Sequence, residues 1–356
     1  MLICSLCELD FGIAEDLFLE HLGAEHPEEC QLTCASCGEA VLGSGDALAA
    51  HHLSLHSNNP SSNKPSSPPP PKRPALTSLP PQLATSSASS TQPSPSNLPR
   101  HQCVITELRR RLRERAEVAE FGLASPGVRF SASAGKADAG FGCGFRNAQM
   151  LISSLLTQPS FSGQLCLGGE RRLPTVWELQ EAIERGWDMG LDQEGRHQLS
   201  ARLSGTRRWI GTTEIAVYFA SKNIRVKITD FDGYSGPGKS HPRLMDWVRR
   251  YFQNQRDFAP PLYFQHQGHS RTIIGWEKQR NGQENLLVLD PSMKAGQLEA
   301  WMKTSQKKDP AYFRAGIQDL KKSQYQILEV LRLMTFQEAF APHGFCDHEL
   351  IRGTFA

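Results

Sequence analysis

Residues 1–56 contain an internal repeat with a period of 30 residues, built around cysteines and histidines. Both copies follow the pattern C-x2-C-x13-H-x4-H. The two cysteines can supply thiolates from one tight turn, and the two histidines can supply imidazoles from about one turn of helix. Four such ligands satisfy a tetrahedral zinc ion, so the repeat predicts two ββα zinc fingers, 1–28 and 29–56, that hold two structural zinc ions. The predicted ligands are Cys4, Cys7, His21 and His26 in the first finger, and Cys34, Cys37, His51 and His56 in the second.

These fingers would depend on the metal, because each has few apolar residues with which to build a core. Zinc would supply most of the folding free energy, on the order of 10 kcal/mol. His52 is an alternative to His51 as a ligand, although the repeat favours His51. The first helical segment, 14–26, carries four acidic residues and no lysine or arginine. Phosphate would repel it, so the fingers are expected to bind protein, for example ubiquitin, and direct binding to nucleic acid is not expected.

Residues 57–100 are rich in proline, serine and asparagine, with almost no apolar periodicity. Such a segment buries too little apolar surface to offset the entropy of ordering it, so we expect a disordered linker. The formal net charge of +2 gives no indication of a nucleic-acid partner. We expect no membrane span and no secretory signal, because the sequence lacks the apolar runs that either needs. Cysteines in metal-type pairs favour a reducing compartment, the cytosol or the nucleus.

A basic amphipathic helix is expected over 101–124. Val104, Leu108 and Leu112 recur at helical spacing, while arginines crowd the other faces. The pattern fits a helix with a solvated face that packs against the main domain. It also fits a helix that contacts an acidic or ubiquitin-like partner.

The main globular domain is expected over 125–340, followed by a tail, 341–356. Helical patterns come first and strand-length apolar runs come later, which favours an α+β fold with a mostly antiparallel sheet. The predicted helices lie around 144–157, 175–190 and 212–222, and the predicted strands around 225–229, 262–264, 272–276, 286–289 and 325–328.

Cys143 lies between two glycines, directly before the helical pattern of 144–157. At a helix N-terminus, free backbone N–H groups and the helix dipole stabilise a thiolate and lower the pKa of the thiol. Glycines on both sides let a substrate backbone approach closely. A free cysteine is more often a small buried apolar residue, but the glycine frame favours a nucleophile.

His269 is the candidate base, and Asp290 is the candidate for orienting it. His269 precedes one predicted strand and Asp290 ends the next, while Asn281-Gly282 between them predicts a hairpin. The two residues should therefore lie near the open end of that hairpin, where a carboxylate can orient an imidazole and stabilise its cation. The register stays open, because a tight turn at Asn281-Gly282 would pair Asp290 nearer Ile273.

Acyl transfer also needs donors for the developing oxyanion. The backbone N–H of Cys143 is one candidate, and the neutral amide of Gln265, four residues before His269, is another. The alternative is that Gln265 is a strand-end residue that faces water.

Four motifs stand out along 125–335. They are Gly142-Cys143-Gly144-Phe145-Arg146-Asn147 with Gln149-Met150-Leu151, then Trp209-Ile210-Gly211, then Gln265-His266-Gln267-Gly268-His269-Ser270-Arg271-Thr272, and Leu289-Asp290-Pro291. With the two fingers, these motifs resemble those of the zinc-finger-containing ubiquitin peptidases, a papain-like cysteine deubiquitinase family. Related modifier-specific and autophagy peptidases place their histidine in an Asp-Pro-His motif, whereas this chain has Ser292 there.

The resemblance implies a papain-like fold in which Cys143 is the nucleophile, His269 the base, Asp290 its orienting residue and Gln265 the oxyanion donor. It implies cleavage of polyubiquitin, above all long lysine-sixty-three-linked chains, and partners among ubiquitinated DNA-repair proteins. A role in genome stability and a location in the nucleus and cytoplasm follow from the same likeness. No cofactor is expected for catalysis. The family's longer members carry further fingers and ubiquitin-binding helices, whereas 57–100 here is of low complexity.

Trp209 and Glu214 are further candidates, as residues that line the channel for the ubiquitin tail. Trp209 is otherwise a core aromatic residue. Two other functions stay open for the chain: a protease for a ubiquitin-like modifier, and a catalytically inactive zinc-finger adaptor that binds ubiquitin or nucleic acid. The intact set of candidate catalytic residues argues against the adaptor.

Overall fold

The computed structural model describes residues 31–33, 40–42, 103–167, 169–254, 257–304, 313–339 and 344–354. The chain divides into two compact units, Met1–Ser86 and Ser87–Ala356. The linker expected over 57–100 and the zinc ligands of both fingers lie outside the described residues, so both stay predictions.

The described residues of the first unit form an antiparallel pair of strands. These are β1 (Gln31–Thr33) and β2 (Ala40–Leu42), in which Gln31 lies opposite Leu42. Cys34 and Cys37 fall between the two strands in the sequence. A short antiparallel ribbon is the first part of a ββα finger, so this backbone is compatible with the second predicted finger.

The second unit combines helices with one sheet. The helices are α1 (Val104–Arg113), α2 (Cys143–Leu155), α3 (Pro159–Leu165), α4 (Val176–Asp188), α5 (Gln193–Gln198), α6 (Thr212–Ala220), α7 (Pro242–Asn254), α8 (Ala295–Lys303) and α9 (Phe336–Ala339). The strands are β3 (Val118–Leu123), β4 (Ile224–Asp232), β5 (Leu262–His266), β6 (His269–Gln279), β7 (Glu284–Leu289), β8 (Arg314–Gly316), β9 (Gln324–Leu333) and β10 (Asp347–Arg352).

The strand order in the sheet is β10-β4-β9-β5-β6-β7-β8, and β3 pairs with β6 outside this order. β10 runs parallel to β4, and the other described pairs of this sheet are antiparallel. β6 is long enough to pair with β5 through its first half and with β3 through its second half. The mixed but mostly antiparallel sheet and its helices confirm the expected α+β class.

Two hydrophobic clusters hold the helices to the sheet. In one cluster, α2, α4 and α6 pack with β4 and β9, and Phe145 and Phe219 are fully buried there. In the other, α1, α7 and α8 pack with β6 and β7 around Trp276. α2 contributes Phe145 to the first cluster and Met150 to the second. The helix that begins at Cys143 is therefore fixed by packing on both sides.

The helix predicted over 101–124 is shorter in the structure. α1 ends at Arg113, and residues 118–123 form β3 instead. The reason lies in packing that is distant in sequence: β3 pairs with β6, and a Cβ at Gly122 would lie 2.7 Å from Nε1 of Trp276. α1 buries its apolar face in the core, which confirms that it packs against the main domain.

Residues 347–352, expected to belong to a tail, form the edge strand β10. Glu349 forms an ion pair with Lys227 on β4, in which Oε2 lies 2.6 Å from Nζ, and Asp347 forms one with Arg225. Pairing with β4, rather than local apolar alternation, gives this segment its strand structure. Within the described residues, no helix has the length and apolar character needed to cross a membrane.

Candidate active site

Cys143 is the first residue of α2, as the glycine frame predicted. The turn before it is held by Asp138, which is 3% exposed and whose backbone oxygen accepts from the N–H of Gly142 at 2.8 Å. The Asp138 carboxylate accepts from Nε of Arg146 at 2.6 Å. A Cβ at Gly142 would lie 2.6 Å from the Asp138 Cβ, so only glycine fits without a shift of this turn. The thiol therefore lies at the positive end of a rigid helix.

His269 and Asp290 lie in contact, as predicted. His269 opens β6 and Asp290 directly follows β7, and Nε2 of His269 lies 2.9 Å from Oδ2 of Asp290. Arg271 donates to the same oxygen from Nε at 2.8 Å. Ser292 donates to Oδ1 through its backbone N–H at 2.9 Å and its hydroxyl at 2.6 Å. Four donors fix the carboxylate, and the carboxylate fixes the imidazole.

The register of β6 and β7 explains this contact. Thr272 lies opposite Leu289, which places Asp290 nearest to Arg271 and diagonal to His269. A shift in register between Ile273 and Gly275 moves the pairing away from that of an uninterrupted tight hairpin. The sequence pattern left this register open because such irregularities are not visible in it.

The electrostatics couple the three side chains. Burial raises the pKa of the Cys143 thiol, but hydrogen bonding to the His269 ring and to the hydroxyl and backbone of Ser270 outweighs burial, and the pKa falls from 9.0 to about 7. Hydrogen bonds with Asp290 and Cys143 raise the pKa of His269 from 6.5 to about 9 against the effect of burial. Burial raises the pKa of Asp290, but its bonds with His269, Ser292 and Arg271 hold it well below its ordinary value. At a pH between the pKa of Cys143, about 7, and the pKa of His269, about 9, the Cys143 thiolate and the His269 imidazolium coexist.

Gln265 lies beside the start of α2. Its Oε1 accepts from the Tyr263 hydroxyl at 3.1 Å, and its Nε2 would be 3.0 Å from a Cβ at Gly211. Gly144 lies against the same hydroxyl, since a Cβ there would be 3.2 Å from it. The amide is therefore close to the N-terminus of α2, where the backbone N–H of Cys143 is also placed.

Trp209 lies at the rim of the site and is 57% exposed, which argues against the alternative of a core aromatic residue. Its ring would be 3.8 Å from a Cβ at Gly268, in the turn directly before His269. Glu214 accepts from the backbone N–H of Gly211 at 2.6 Å and so caps the start of α6. Burial raises the pKa of the Glu214 carboxyl. Both residues lie next to the site. The Glu214 carboxylate binds Gly211, which is two residues after Trp209 and lies beside Gln265.

Several residues of the site were not assigned a role from the sequence. Asn147 donates from Nδ2 to the Cys143 backbone oxygen at 2.8 Å and to the Ser270 hydroxyl at 3.0 Å. Thr272 donates to Oδ1 of Asn147 at 2.7 Å. These groups tie the helix of the thiol to the strand of the imidazole. The alternation along β6 could have indicated that Ser270 and Thr272 face the same side, but not that they meet Asn147.

Three further cysteines in the described residues, Cys103, Cys166 and Cys346, are free and half-buried. Burial raises the pKa of Cys346 to about 11. The contrast with Cys143 shows that the surroundings of the thiol, not cysteine as such, favour its ionised form. In the described part of the chain, no group of three or more metal-ligating side chains could hold a metal ion.

A cysteine at a helix N-terminus, facing a histidine that an aspartate orients, defines the papain-like class of thiol hydrolases. The family model of peptidase family C78 matches residues 123–328, which include all three side chains. The chain belongs to peptidase family C78, and its α+β, papain-like domain is that of a cysteine peptidase.

Curated relatives extend this likeness. The chain is 37% identical over 213 residues to "Zinc finger-containing ubiquitin peptidase 1" of Homo sapiens, an alignment that covers 57% of this chain and 36% of the human protein. It is 37% identical over 157 residues to "Ubiquitin carboxyl-terminal hydrolase mug105" of Schizosaccharomyces pombe, covering 43% of this chain and 61% of the yeast protein. The alignment thus spans about a third of the human relative's length.

A solved structure, described as the crystal structure of UfSP from C. elegans, is similar to part of this chain. The match covers 63% of this chain and 36% of the chain in that structure. The TM-score is 0.41 at 18% sequence identity. This likeness is too distant to bear on function.

Proposed function

We propose that the chain is a thiol-dependent isopeptidase that cleaves polyubiquitin. The observation that carries this proposal is the continuous contact from Cys143 through His269 to Asp290, at the N-terminus of a buried helix. Two curated relatives are named as ubiquitin hydrolases, which supports ubiquitin as the substrate.

The reaction begins from the thiolate–imidazolium pair. Sγ of Cys143 attacks the carbonyl carbon of the isopeptide bond, and a tetrahedral intermediate forms. His269 donates its proton to the ε-amine of the leaving lysine, so the C–N bond breaks and a thioester remains. The neutral His269 then takes a proton from water, and the resulting hydroxide attacks the thioester and breaks its C–S bond. Ubiquitin leaves as a carboxylic acid that gives its proton to solvent, and the thiolate–imidazolium pair is restored. Asp290 keeps the imidazole in place and stabilises its charged form throughout.

The oxyanion of the intermediate needs donors that are already in position. The backbone N–H of Cys143 is one, since the first N–H groups of a helix have no intrahelical partner. Nε2 of Gln265 is the second. Its oxygen is occupied by the Tyr263 hydroxyl, which leaves the amino group to face the substrate.

Ubiquitin is a better substrate for this site than the ubiquitin-fold modifier. In the modifier-specific relatives the residue two positions after the aspartate is a histidine. In this chain that residue is Ser292, whose hydroxyl and N–H both bind Asp290. The base therefore comes from β6. Trp209, whose ring lies beside the turn before His269, and Glu214, which holds Gly211, are the proposed residues that confine the Gly-Gly tail of ubiquitin.

Long lysine-sixty-three-linked chains are the proposed preferred substrates, with ubiquitinated DNA-repair proteins as proposed partners in the nucleus and cytoplasm. Both rest on the family resemblance. Cleavage of a panel of tetraubiquitins of defined linkage tests the first, with faster cleavage of the lysine-sixty-three chain as the expected result.

The two fingers are proposed to hold one zinc ion each. Two thiolates and two imidazoles form a donor set that zinc prefers, and the β1–β2 ribbon flanks Cys34 and Cys37 as such a site requires. Zinc bound there would stabilise the fold of the finger. Cys34→Ser would then lower the zinc content from two ions to about one, measured by elemental analysis.

Two electrophilic probes test the proposal, one built on ubiquitin and one on the ubiquitin-fold modifier. A covalent adduct with the ubiquitin probe alone, absent in Cys143→Ala and retained in the matched control Cys166→Ala, is the expected result. Labelling by the modifier probe alone would replace ubiquitin with the modifier as substrate. No adduct with either probe, from folded protein, would overturn the peptidase and favour the adaptor.

A further inference from the structure

Tyr263 is a fully buried residue whose hydroxyl lies within the site. Its relative exposure is 0%, and it stands two residues before Gln265 on β5, so both side chains leave the same face of the strand. The hydroxyl donates to Oε1 of Gln265 at 3.1 Å. It also lies where a Cβ at Gly144 would come within 3.2 Å, next to the first turn of α2.

A chain of buried hydrogen bonds leads to this hydroxyl. The Thr272 hydroxyl donates to Oδ1 of Asn147 at 2.7 Å, and Nδ2 of Asn147 donates to the Ser270 hydroxyl at 3.0 Å. Thr272, Asn147 and Ser270 are at most 2% exposed. The Ser270 hydroxyl accepts from Asn147 and lies beside the Tyr263 oxygen and the Cys143 thiol, to either of which it can donate.

The donors of Thr272 and Asn147 point towards Ser270, and the Tyr263 hydroxyl points onwards to Gln265. An amide side chain has nearly equal size at its oxygen and nitrogen ends, so packing alone does not select between its two orientations. With the oxygen towards the substrate, Gln265 would repel a developing negative charge. A Tyr263 hydroxyl that accepts from Ser270 keeps its own proton for Oε1, which leaves Nε2 free and favours this orientation of the amide.

The Tyr263 hydroxyl stays a donor at every pH at which the peptidase would act. Burial raises the pKa of Tyr263 well above its ordinary value of 10.0, the hydrogen bond with Ser270 opposes this, and the nearby Cys143 thiolate raises the pKa further. The tyrosine therefore does not exchange protons with the site.

We propose that Tyr263 is a positioning residue that sets the Gln265 amide with its nitrogen towards the oxyanion, through the hydrogen-bond chain from Thr272, Asn147 and Ser270. This inference rests on the proposed peptidase function and assigns a residue that supports the oxyanion donor of that site. Tyr263 does not touch the substrate; it acts through Gln265.

A double-mutant cycle between Tyr263→Phe and Gln265→Ala tests it, with kcat and KM measured for cleavage of a fluorogenic ubiquitin substrate. Gln265→Ala is expected to lower kcat by about 100-fold, the usual cost of losing one oxyanion donor. Tyr263→Phe should lower kcat by about tenfold, because the amide keeps its place but loses its fixed orientation. KM should stay nearly constant in both, since only the transition state carries the oxyanion.

The kcat of the double variant decides between the two interpretations. If Tyr263 acts through Gln265, adding Tyr263→Phe to Gln265→Ala lowers kcat by less than about twofold more. Tyr218→Phe is the matched control: it removes a buried hydroxyl from the same hydrophobic cluster, and that hydroxyl has no hydrogen-bond partner. It should leave kcat unchanged.

Three results would overturn the inference. A fully active Tyr263→Phe shows that the hydroxyl is not needed, and equal losses in both backgrounds show a structural effect independent of Gln265. A wild type that labels with no probe and cleaves no substrate overturns the proposed function and this inference with it. Thermal unfolding of each variant separates loss of kcat from loss of fold, and similar midpoints are expected.

Discussion

Replacing Asp290 by asparagine tests the electrostatic coupling of the site most sharply. The side chain keeps its size, but the charge that holds His269 is lost. Asp290 is the first cause of the raised pKa of His269, which is about 9. Without it, that pKa should fall towards its ordinary value of 6.5.

The size of the effect follows from these two values. At pH 8 an imidazole with a pKa of about 9 is about 90% protonated, whereas one with a pKa of 6.5 is about 3% protonated. If activity needs the imidazolium as proton donor to the leaving amine, kcat/KM at pH 8 should fall by up to about 30-fold from protonation alone. The pKa of Cys143 should also rise, since it loses part of its charged partner.

The assay is kcat/KM for a fluorogenic ubiquitin substrate as a function of pH. The wild type should give a bell that rises near pH 7, as Cys143 ionises, and falls near pH 9, as His269 loses its proton. In Asp290→Asn the alkaline limb should move to lower pH and the maximum of the bell should fall, because fewer molecules hold the thiolate and the imidazolium together. Asp246→Asn, which removes an exposed carboxylate that pairs with Arg249 and Arg250 on α7, should leave both limbs in place. An unchanged alkaline limb in Asp290→Asn would refute the coupling.

Three other perturbations have defined outcomes. Gly144→Ala should destabilise the protein by about 1–3 kcal/mol in urea unfolding, because the new Cβ would lie 2.7 Å from Cγ1 of Ile210; a stable variant would contradict this packing. Arg111→Ala should cost about 3 kcal/mol or more, since the buried guanidinium lies 4.0 Å from the centroid of the Trp301 ring and donates to its backbone oxygen; a loss below about 1 kcal/mol would contradict that role. Cys34→Ser should lower the zinc content of the protein from two ions to about one. If the variant still holds two ions, Cys34 is not a zinc ligand.

The sequence was informative wherever one local pattern determines the structure. The glycine frame and the apolar repeat that follows it predicted that a helix begins at Cys143, because a helix N-terminus is set by its own few residues. The strands that carry His269 and Asp290 were visible as apolar runs separated by Asn281-Gly282. The predicted contact of the two side chains is present at 2.9 Å.

What the sequence left open depends on pairing between distant segments. Residues 118–123 form a strand because they pair with β6, and residues 347–352 form a strand because they pair with β4. In neither segment do apolar and polar residues alternate clearly enough to predict a strand. The same holds for Tyr263 and Asn147, whose roles follow from a network that joins β5, β6 and α2. Hydrogen-bond direction in such a network is a property of the fold, not of any one segment.

The measurement that bears most directly on the account is the rate of alkylation of each thiol by iodoacetamide as a function of pH, followed by peptide mass spectrometry. Cys143 and Cys346 share the chain, so each is the other's control. We expect Cys143 to reach half its maximal rate near pH 7 and Cys346, with a pKa of about 11, hardly to react there. We also expect His269→Ala to move the Cys143 midpoint to higher pH. A midpoint near the ordinary thiol value of 9.0, or one that His269→Ala leaves unchanged, would contradict an activated nucleophile at the start of α2.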